Sequence, residues 1–140
     1  MGNPASQIIR TPIHPADKTT ANYCILLVDD DAMIRESVAA WLEDRGYRVL
    51  LASDGVAALE LLATEQPSLI LTDLKMPRMD GITLLNNVLT HYQVLEQSAP
   101  PVIVLSGGGS MQDVVEALRA GASDYLVKPI FDFQVLEHAI

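Results

Sequence analysis

The stretch Cys24-Ile-Leu-Leu-Val-Asp-Asp-Asp31 places an uncharged run directly before three consecutive carboxylates. A run of this length is too short for a helix, and its continuous apolar character predicts a strand that is buried on both faces. Strands of this kind belong to parallel sheets that are covered by helices on both sides. The stretch therefore predicts an α/β fold in which acidic residues follow the first strand.

Four further apolar runs along the chain predict four further strands. They are Arg48–Ala52, Leu69–Thr72, Val102–Leu105 and Tyr125–Val127. Helical stripes lie between them, at Ile34, Val38, Trp41 and Leu42; at Val56, Leu59, Leu62 and Ala63; at Ile82, Leu85, Val88 and Leu89; and at Val114 and Leu118. Strands and helices that alternate at this spacing require parallel pairing through right-handed crossovers. The expected fold is a three-layer αβα sandwich around a doubly wound, five-stranded parallel sheet.

The chain is expected to hold one domain, because 140 residues leave no room for two ordinary cores. Residues 1–22 contain three prolines among polar residues, which predicts a flexible leader before a domain at residues 23–140. A last helix is expected to begin at Phe131, and the chain stops inside it at Ile140. We expect a fragment of a longer regulatory chain; the alternative is a single-domain protein with a short final helix.

Composition excludes several classes of function. The formal net charge of −9 argues against direct nucleic-acid binding, which needs a basic face. No apolar stretch is long enough for a membrane span. The single cysteine, Cys24, cannot form an internal disulfide, so a reducing cytoplasm is the expected location.

Polar residues that could carry chemistry stand where the predicted strands end. They are Asp29 and Asp30 after the first strand, Asp73 after the third, Ser106 after the fourth, and Lys128 after the fifth. Ligands of doubly wound sheets bind beyond the carboxyl ends of the strands, so these side chains should converge at one edge. Clustered carboxylates without His or Cys select a hard cation, and Mg²⁺ suits such a set. A cation and an ammonium group that face one carboxylate predict a site for a phosphoryl group.

Three other polar groups are better explained as helix caps than as ligands. Asp31 is predicted to cap the first helix, and Ser53-Asp54-Gly55 is predicted to form a turn and cap the second. Ser110 with Asp113 predicts a capping box at the start of the fourth helix.

The chain resembles the receiver domains of two-component response regulators, the CheY-like family with strand order 2-1-3-4-5. The resemblance rests on four segments, which are Ile25–Asp31, Leu71-Thr-Asp-Leu-Lys-Met-Pro-Arg-Met-Asp-Gly81, Val104-Leu-Ser106 and Gly121-Ala-Ser-Asp-Tyr-Leu-Val-Lys-Pro129. All four occur in the family's order, over about residues 23 to 140. The resemblance implies a signalling domain that is switched by phosphorylation, not an enzyme that acts on other substrates.

The resemblance also implies a role for each matching residue. Asp73 would be the phosphoacceptor. Asp30, Asp73 and the backbone carbonyl of Lys75 would ligate Mg²⁺, while Asp29 would orient a coordinated water. Ser106 would bond a phosphoryl oxygen, Lys128 would pair with Asp73 or its phosphoryl group, and the bond before Pro129 would be cis. Tyr125 would be the aromatic switch that turns inward when Ser106 moves. A sensor histidine kinase, a phosphotransfer protein or a small phosphodonor would be the donor. The surface formed by the fourth helix, the fifth strand and the last helix would then switch to control an output domain or protein partner. The glycines at 108 and 109 depart from the family, in which side chains are common there.

Two alternatives and a subfamily stay open at this point. Asp29-x-Asp31 could be the nucleophile motif of a haloacid-dehalogenase-type phosphatase, although Met33 departs from that motif and Asp73 would be left unexplained. A pseudo-receiver would bind a partner without taking phosphate. A weaker resemblance, at Ala39–Glu43, Ala52–Leu62 and Lys128–Glu137, is to the regulators that deliver the stationary-phase sigma factor to a AAA+ protease. It implies that sigma factor as a partner.

Overall fold

The five apolar runs form one parallel sheet in the order β2-β1-β3-β4-β5. This arrangement comes from a computed structural model that describes residues 22–107, 110–128 and 139–140. The strands are β1 (Cys24–Val28), β2 (Arg48–Ala52), β3 (Leu69–Asp73), β4 (Val102–Ser106) and β5 (Asp124–Val127). The helices are α1 (Ala32–Asp44), α2 (Gly55–Leu62), α3 (Gly81–Val94) and α4 (Met111–Arg119). The fold class and strand order predicted from the sequence are confirmed.

Two separate apolar cores lie on the two faces of the sheet, because neighbouring residues of a strand point to opposite sides. Ile25 and Leu27 of β1 belong to one core, with Val38 and Leu42 of α1. Leu26 and Val28 belong to the other, which includes residues of α2 and α3. All five residues of β1 are buried, as expected for a central strand with both faces covered.

Three strands extend one residue beyond their predicted bounds. β3 includes Asp73, β4 includes Ser106, and β5 begins at Asp124. Asp73 and Ser106 are therefore strand residues whose backbones belong to the sheet, which gives their side chains a defined position at its carboxyl edge.

The predicted caps are confirmed. Asp31 accepts hydrogen bonds from the amides of Met33 and Ile34, and Asp54 accepts one from the amide of Ala57. Ser110 and Asp113 form the predicted capping box. Such caps satisfy amides that have no partner inside the helix.

The predicted helix stripes need a correction. Ala63, Leu89 and Leu118 are exposed, whereas Leu84 and Tyr92 of α3 are buried. A helix that packs on a sheet buries only the narrow face along its contact line. On α3 that line runs through Leu85 and Val88, and Leu89 lies beside it, next to Gly121.

Two expectations concern residues outside the part of the chain that is described. The leader lies outside it except for Asn22, and so do Pro129 and the last predicted helix up to His138. Within the described ranges, no helix is long and apolar enough to cross a membrane.

Candidate functional site

Asp29, Asp30 and Asp73 come together at the carboxyl edge of the sheet. One carboxylate oxygen from each lies within 4.8 Å of the others. The register explains the approach, because Val28 of β1 pairs with Thr72 of β3, and Asp29 and Asp73 are the next residues on these neighbouring strands. Asp29 and Asp73 are buried and Asp30 is exposed, so the cluster opens to solvent on the Asp30 side.

The ammonium group of Lys128 lies between the two buried carboxylates. Its Nζ is 3.1 Å from Asp29 Oδ2 and 3.2 Å from Asp73 Oδ2. Its backbone amide donates to the carbonyl of Ser106 at 2.6 Å, which fixes the chain just after β5 beside the end of β4. The pairing with Asp29 is additional to the pairing with Asp73 that the family resemblance implied.

The two partners shift each other's pKa values. Burial raises the pKa of the Asp73 carboxyl above its usual range, and although Lys128 opposes this, the charge of Asp29 adds to it. Burial also disfavours the charged form of Lys128, but the hydrogen bond and charge of Asp29, followed by those of Asp73, outweigh it and raise the pKa of Lys128. Lys128 is therefore a permanent cation at neutral pH, and Asp73 is a carboxylate in an environment that favours additional positive charge.

Backbone contacts hold the two buried carboxylates in place. Asp29 Oδ1 accepts from the amide of Asp31 at 2.9 Å, and Asp73 Oδ1 accepts from the amide of Leu74 at 2.8 Å. The guanidinium group of Arg35 on α1 donates to the Asp29 carbonyl at 2.7 Å. Sequence reasoning missed Arg35, and only its position one turn into α1 could have suggested that it reaches back to the site.

Ser106 and Tyr125 lie on the neighbouring strands β4 and β5. Ser106 is buried at the end of β4, one residue beyond the pairing of Asp73 with Leu105. Tyr125 of β5 pairs with Val104 of β4. The Tyr125 ring packs against the core on the α3 side of the sheet. Among the described residues, the Tyr125 hydroxyl is the one buried side-chain polar atom that has no hydrogen-bond partner.

The acidic cluster suits a divalent cation of the Mg²⁺ type. The three residues offer only oxygen donors, and the exposed Asp30 leaves room for water ligands, which Mg²⁺ retains. Repulsion among carboxylates this close is relieved by a cation, and Lys128 neutralises only part of their charge. Lys75, whose carbonyl was predicted as a further ligand, follows Asp73 by two residues and is exposed.

The loop between β3 and α3 makes contacts that the sequence did not reveal. Gly81 donates its amide to the Leu74 carbonyl at 2.7 Å, so residues 74–80 form a closed loop. Arg78 pairs with the buried carboxylate of Asp54, which the sequence had identified only as a helix cap. No spacing rule connects these residues, because the contact depends on how two loops meet.

The carboxyl edge of this doubly wound parallel sheet carries an acidic cluster and a lysine, at the place where such folds bind their ligands. The family model of the response regulator receiver domain matches residues 25–140. The chain therefore belongs to the response regulator receiver domain family of two-component systems, which are signalling domains and not ordinary enzymes.

Individual relatives agree with this assignment. The chain is 37% identical over 116 residues to the Regulator of RpoS of Escherichia coli K12, a match that covers 83% of this chain and 33% of that protein. It is 42% identical over 105 residues to the response regulator MprA of Mycobacterium ulcerans, covering 75% of this chain and 43% of that protein. The chain thus spans less than half the length of either relative.

Solved structures show the same fold. The chemotaxis protein CheY4 of Vibrio cholerae superposes with a TM-score of 0.74 at 30% identity, covering 84% of this chain and 98% of that one. The phosphatase alternative loses its basis, because Asp31 caps α1 and the family that matches residues 25–140 is the response regulator receiver domain.

Proposed function

We propose that this receiver domain accepts a phosphoryl group on Asp73, with Mg²⁺ as cofactor, from a sensor histidine kinase, a phosphotransfer protein or a small phosphodonor. The observation that carries the proposal is the position of Asp73. Among the described carboxylates, only Asp29 and Asp73 pair with Lys128, and the Asp73 side chain is 9% exposed whereas that of Asp29 is 1% exposed, so Asp73 is the one that a phosphodonor can reach.

The transfer forms a bond between a carboxylate oxygen of Asp73 and phosphorus. The bond from phosphorus to the donor atom breaks at the same time, and its electron pair leaves with the donor. Mg²⁺ held by Asp30, Asp73 and the Lys75 carbonyl, with Asp29 orienting a coordinated water, would supply positive charge to the phosphoryl oxygens. Lys128 provides a fixed cation 3.2 Å from Asp73 Oδ2, and the Ser106 hydroxyl supplies a hydrogen-bond donor to a phosphoryl oxygen. The domain thereby catalyses its own phosphorylation and, with water as acceptor, its own dephosphorylation.

Intact-mass spectrometry tests the acceptor. With Mg²⁺ and acetyl phosphate, the protein should gain one phosphoryl group, and Asp73→Asn should gain none. Asp31→Asn is the matched control, because it removes a neighbouring carboxylate but keeps a helix-capping oxygen, the residues of the cation site and the proposed acceptor. Equal labelling of Asp73→Asn and the parent would refute the assignment.

Thermal unfolding tests the cofactor. Clustered carboxylates destabilise the folded chain at neutral pH, so Mg²⁺ should raise the melting temperature of the parent. Asp30→Ala should lose most of this effect, whereas Asp31→Asn, which retains a capping oxygen outside the cluster, should keep it. The same Mg²⁺ response in Asp30→Ala and in the parent would contradict the ligand role.

The output surface is proposed to be α4, β5 and the segment that follows. Met111, Leu118 and Val127 are 76%, 46% and 58% exposed there, an apolar content that suits a protein contact. We propose that phosphate at Asp73 draws Ser106 toward it and lets the Tyr125 ring move further inward, which changes this surface.

The partner proposed for this surface is a stationary-phase sigma factor, in a cytoplasmic pathway. Similarity to the Regulator of RpoS supports this choice. Fluorescence anisotropy with the labelled sigma factor of the same organism should show tighter binding to the protein carrying beryllofluoride than to the untreated protein. Val127→Asp should abolish the difference, and the absence of binding in both states would refute the partner.

A further inference from the structure

The tip of the loop between β3 and α3 is held by one charged contact. Both Nε and a terminal nitrogen of Arg78 donate to Asp54 Oδ2, with Nε at 2.9 Å. The Arg78 side chain is 60% exposed, but the Asp54 side chain is only 9% exposed, so the contact ends on a buried anchor. A guanidinium group that makes two hydrogen bonds to one carboxylate has little freedom of orientation.

The Asp54 side chain is held in place because its second carboxylate oxygen is also hydrogen-bonded. Its Oδ1 accepts the Ala57 amide at 2.8 Å, which caps α2. Two residues earlier, the carbonyl of Ala52 accepts the amide of Asp29 at 3.1 Å. The turn that carries Asp54 is therefore hydrogen-bonded directly to the backbone of the acidic cluster.

The loop between β3 and α3 also packs closely against the turn that carries Asp54 and Gly55. A Cβ placed on Gly55 would lie 2.8 Å from Sδ of Met79, the residue after Arg78. A side chain at position 55 would force Met79 to move, so the glycine lets the loop and the turn pack closely. Arg78 itself has φ of 69°, a left-handed conformation that costs a non-glycine residue free energy. The surrounding contacts, including the Asp54 ion pair, must offset this cost.

Hydrogen bonds and the backbone connect the two sides of the site. From Asp73 the chain leads through Leu74 and the loop to Arg78, which pairs with Asp54. The chain before Asp54 includes Ala52, whose carbonyl accepts the amide of Asp29. Lys75, whose carbonyl was assigned to the cation, lies within the loop between Leu74 and Arg78. A loop with a free tip would present that carbonyl in many positions, and binding would then have to order it.

We propose that Arg78 and Asp54 form a positioning tether that sets the affinity of the acidic cluster for Mg²⁺. The inference rests on the proposed function, since it assigns these residues to the cation required for phosphorylation. Neither residue touches the cation or the phosphoryl group. The tether acts by holding the loop in the conformation that binds the cation.

Amide chemical-shift titration with Mg²⁺ tests the tether directly. Arg78→Ala and Asp54→Asn should each weaken Mg²⁺ binding by about three- to tenfold, the effect of losing one charge-assisted contact. Asp54→Asn retains an oxygen for the Ala57 amide, so it removes the ion pair and leaves the cap. The double variant should bind Mg²⁺ no more weakly than either single variant, because both changes break one tether.

Arg48→Ala is the matched control. Arg48 is 59% exposed and pairs with Glu65, so it is an ion-paired arginine of the same exposure at the opposite end of β2. Its removal should leave Mg²⁺ affinity at the parent value. A loss equal to that of Arg78→Ala would indicate a general charge effect and overturn the tether.

Phosphorylation rates with acetyl phosphate give a second readout. In Arg78→Ala the rate should fall at low Mg²⁺ and return to within about twofold of the parent at saturating Mg²⁺. A fall that persists at saturation would overturn the positioning role. If Arg78→Ala does not fold, Asp54→Asn and its double variant with Arg78→Lys provide the same comparison.

Different results would refute the Mg²⁺-dependent phosphorylation and the Arg78–Asp54 tether. A parent protein that shows no Mg²⁺-dependent shifts refutes the proposed function itself. A parent that binds Mg²⁺ with unchanged affinity in both Arg78→Ala and Asp54→Asn refutes the tether alone.

Discussion

The loops that leave β3 and β4 flank the same site, but their glycines differ in packing. A Cβ at Gly81, where the β3 loop ends, would overlap the Asp73 carbonyl oxygen and lie 3.0 Å from Cα of Leu74. A Cβ at Gly107, directly after β4, would meet no atom of the described residues within 4 Å. The acceptor side of the site is therefore closely packed, whereas the described part of the sensor side leaves space around Gly107.

This difference matches the tasks proposed for the two sides. Asp73 must stay in register with the cation and Lys128, and the backbone of Gly81 packs against its carbonyl. Ser106 must move toward a phosphoryl group, and it is followed by a residue with free space around it. The close packing at Gly81 therefore suits a fixed loop after β3, and the space at Gly107 suits a loop after β4 that is able to shift.

Gly81→Ala should have the largest effect. Its methyl group would contact the Asp73 backbone, which cannot move without disturbing β3. We expect a loss of about 3 kcal/mol or more in the free energy of unfolding. Urea denaturation measures this change. A loss below about 1 kcal/mol would show that the two sides are packed alike.

Ser106→Ala should separate acceptance from response. The variant keeps Asp73, Lys128 and the acidic cluster, so it should still gain one phosphoryl group. Amide shift changes with beryllofluoride should be concentrated in residues 110–128 of the parent and be much smaller around Tyr125 in the variant. A response equal to that of the parent would exclude the hydroxyl as the sensor.

The contribution of the Asp54–Arg78 ion pair to the free energy of unfolding should depend on pH. The hydrogen bond from Ala57, followed by the one from Arg78, lowers the pKa of the Asp54 carboxyl. In the unfolded chain an aspartate titrates near about 3.9. The stability that Asp54 contributes is thus fully present above that pH and is lost as the pH falls through the lower folded value. Urea midpoints of the parent and Asp54→Asn should differ at about pH 6 and converge toward about pH 3. A constant difference would exclude the charge as its source.

Gly107→Ala should have the smallest effect. Its φ lies outside the left-handed region, and its surroundings are open. Alanine should leave stability unchanged or raise it by up to about 1 kcal/mol, by restricting the unfolded chain. Measured beside Gly81→Ala, it should differ from it by more than about 2 kcal/mol. Similar losses in both variants would remove the contrast between the two loops.

Sequence patterns predicted the sheet more accurately than the faces of the helices. Strand positions followed from short apolar runs, since a buried central strand leaves no polar position. The stripe on α3 was less accurate, because Leu84 and Leu89 flank the line through Leu85 and Val88 on opposite sides, and packing decides which side is buried. The residues of the acidic cluster were identified because strand ends are recognisable and the fold brings strand ends together.

The sequence by itself determined the fold class, the strand order through its family resemblance, and the carboxyl edge where Asp29, Asp30, Asp73, Ser106 and Lys128 lie. Periodicity and strand ends are local properties, and a parallel sheet converts them into one defined edge. Only the tertiary structure decided that Lys128 also pairs with Asp29, that Arg78 reaches Asp54, and that Gly81 is packed where Gly107 is free. Those contacts join segments far apart in the chain, and their distances depend on how loops and helices pack, which no spacing of residues encodes.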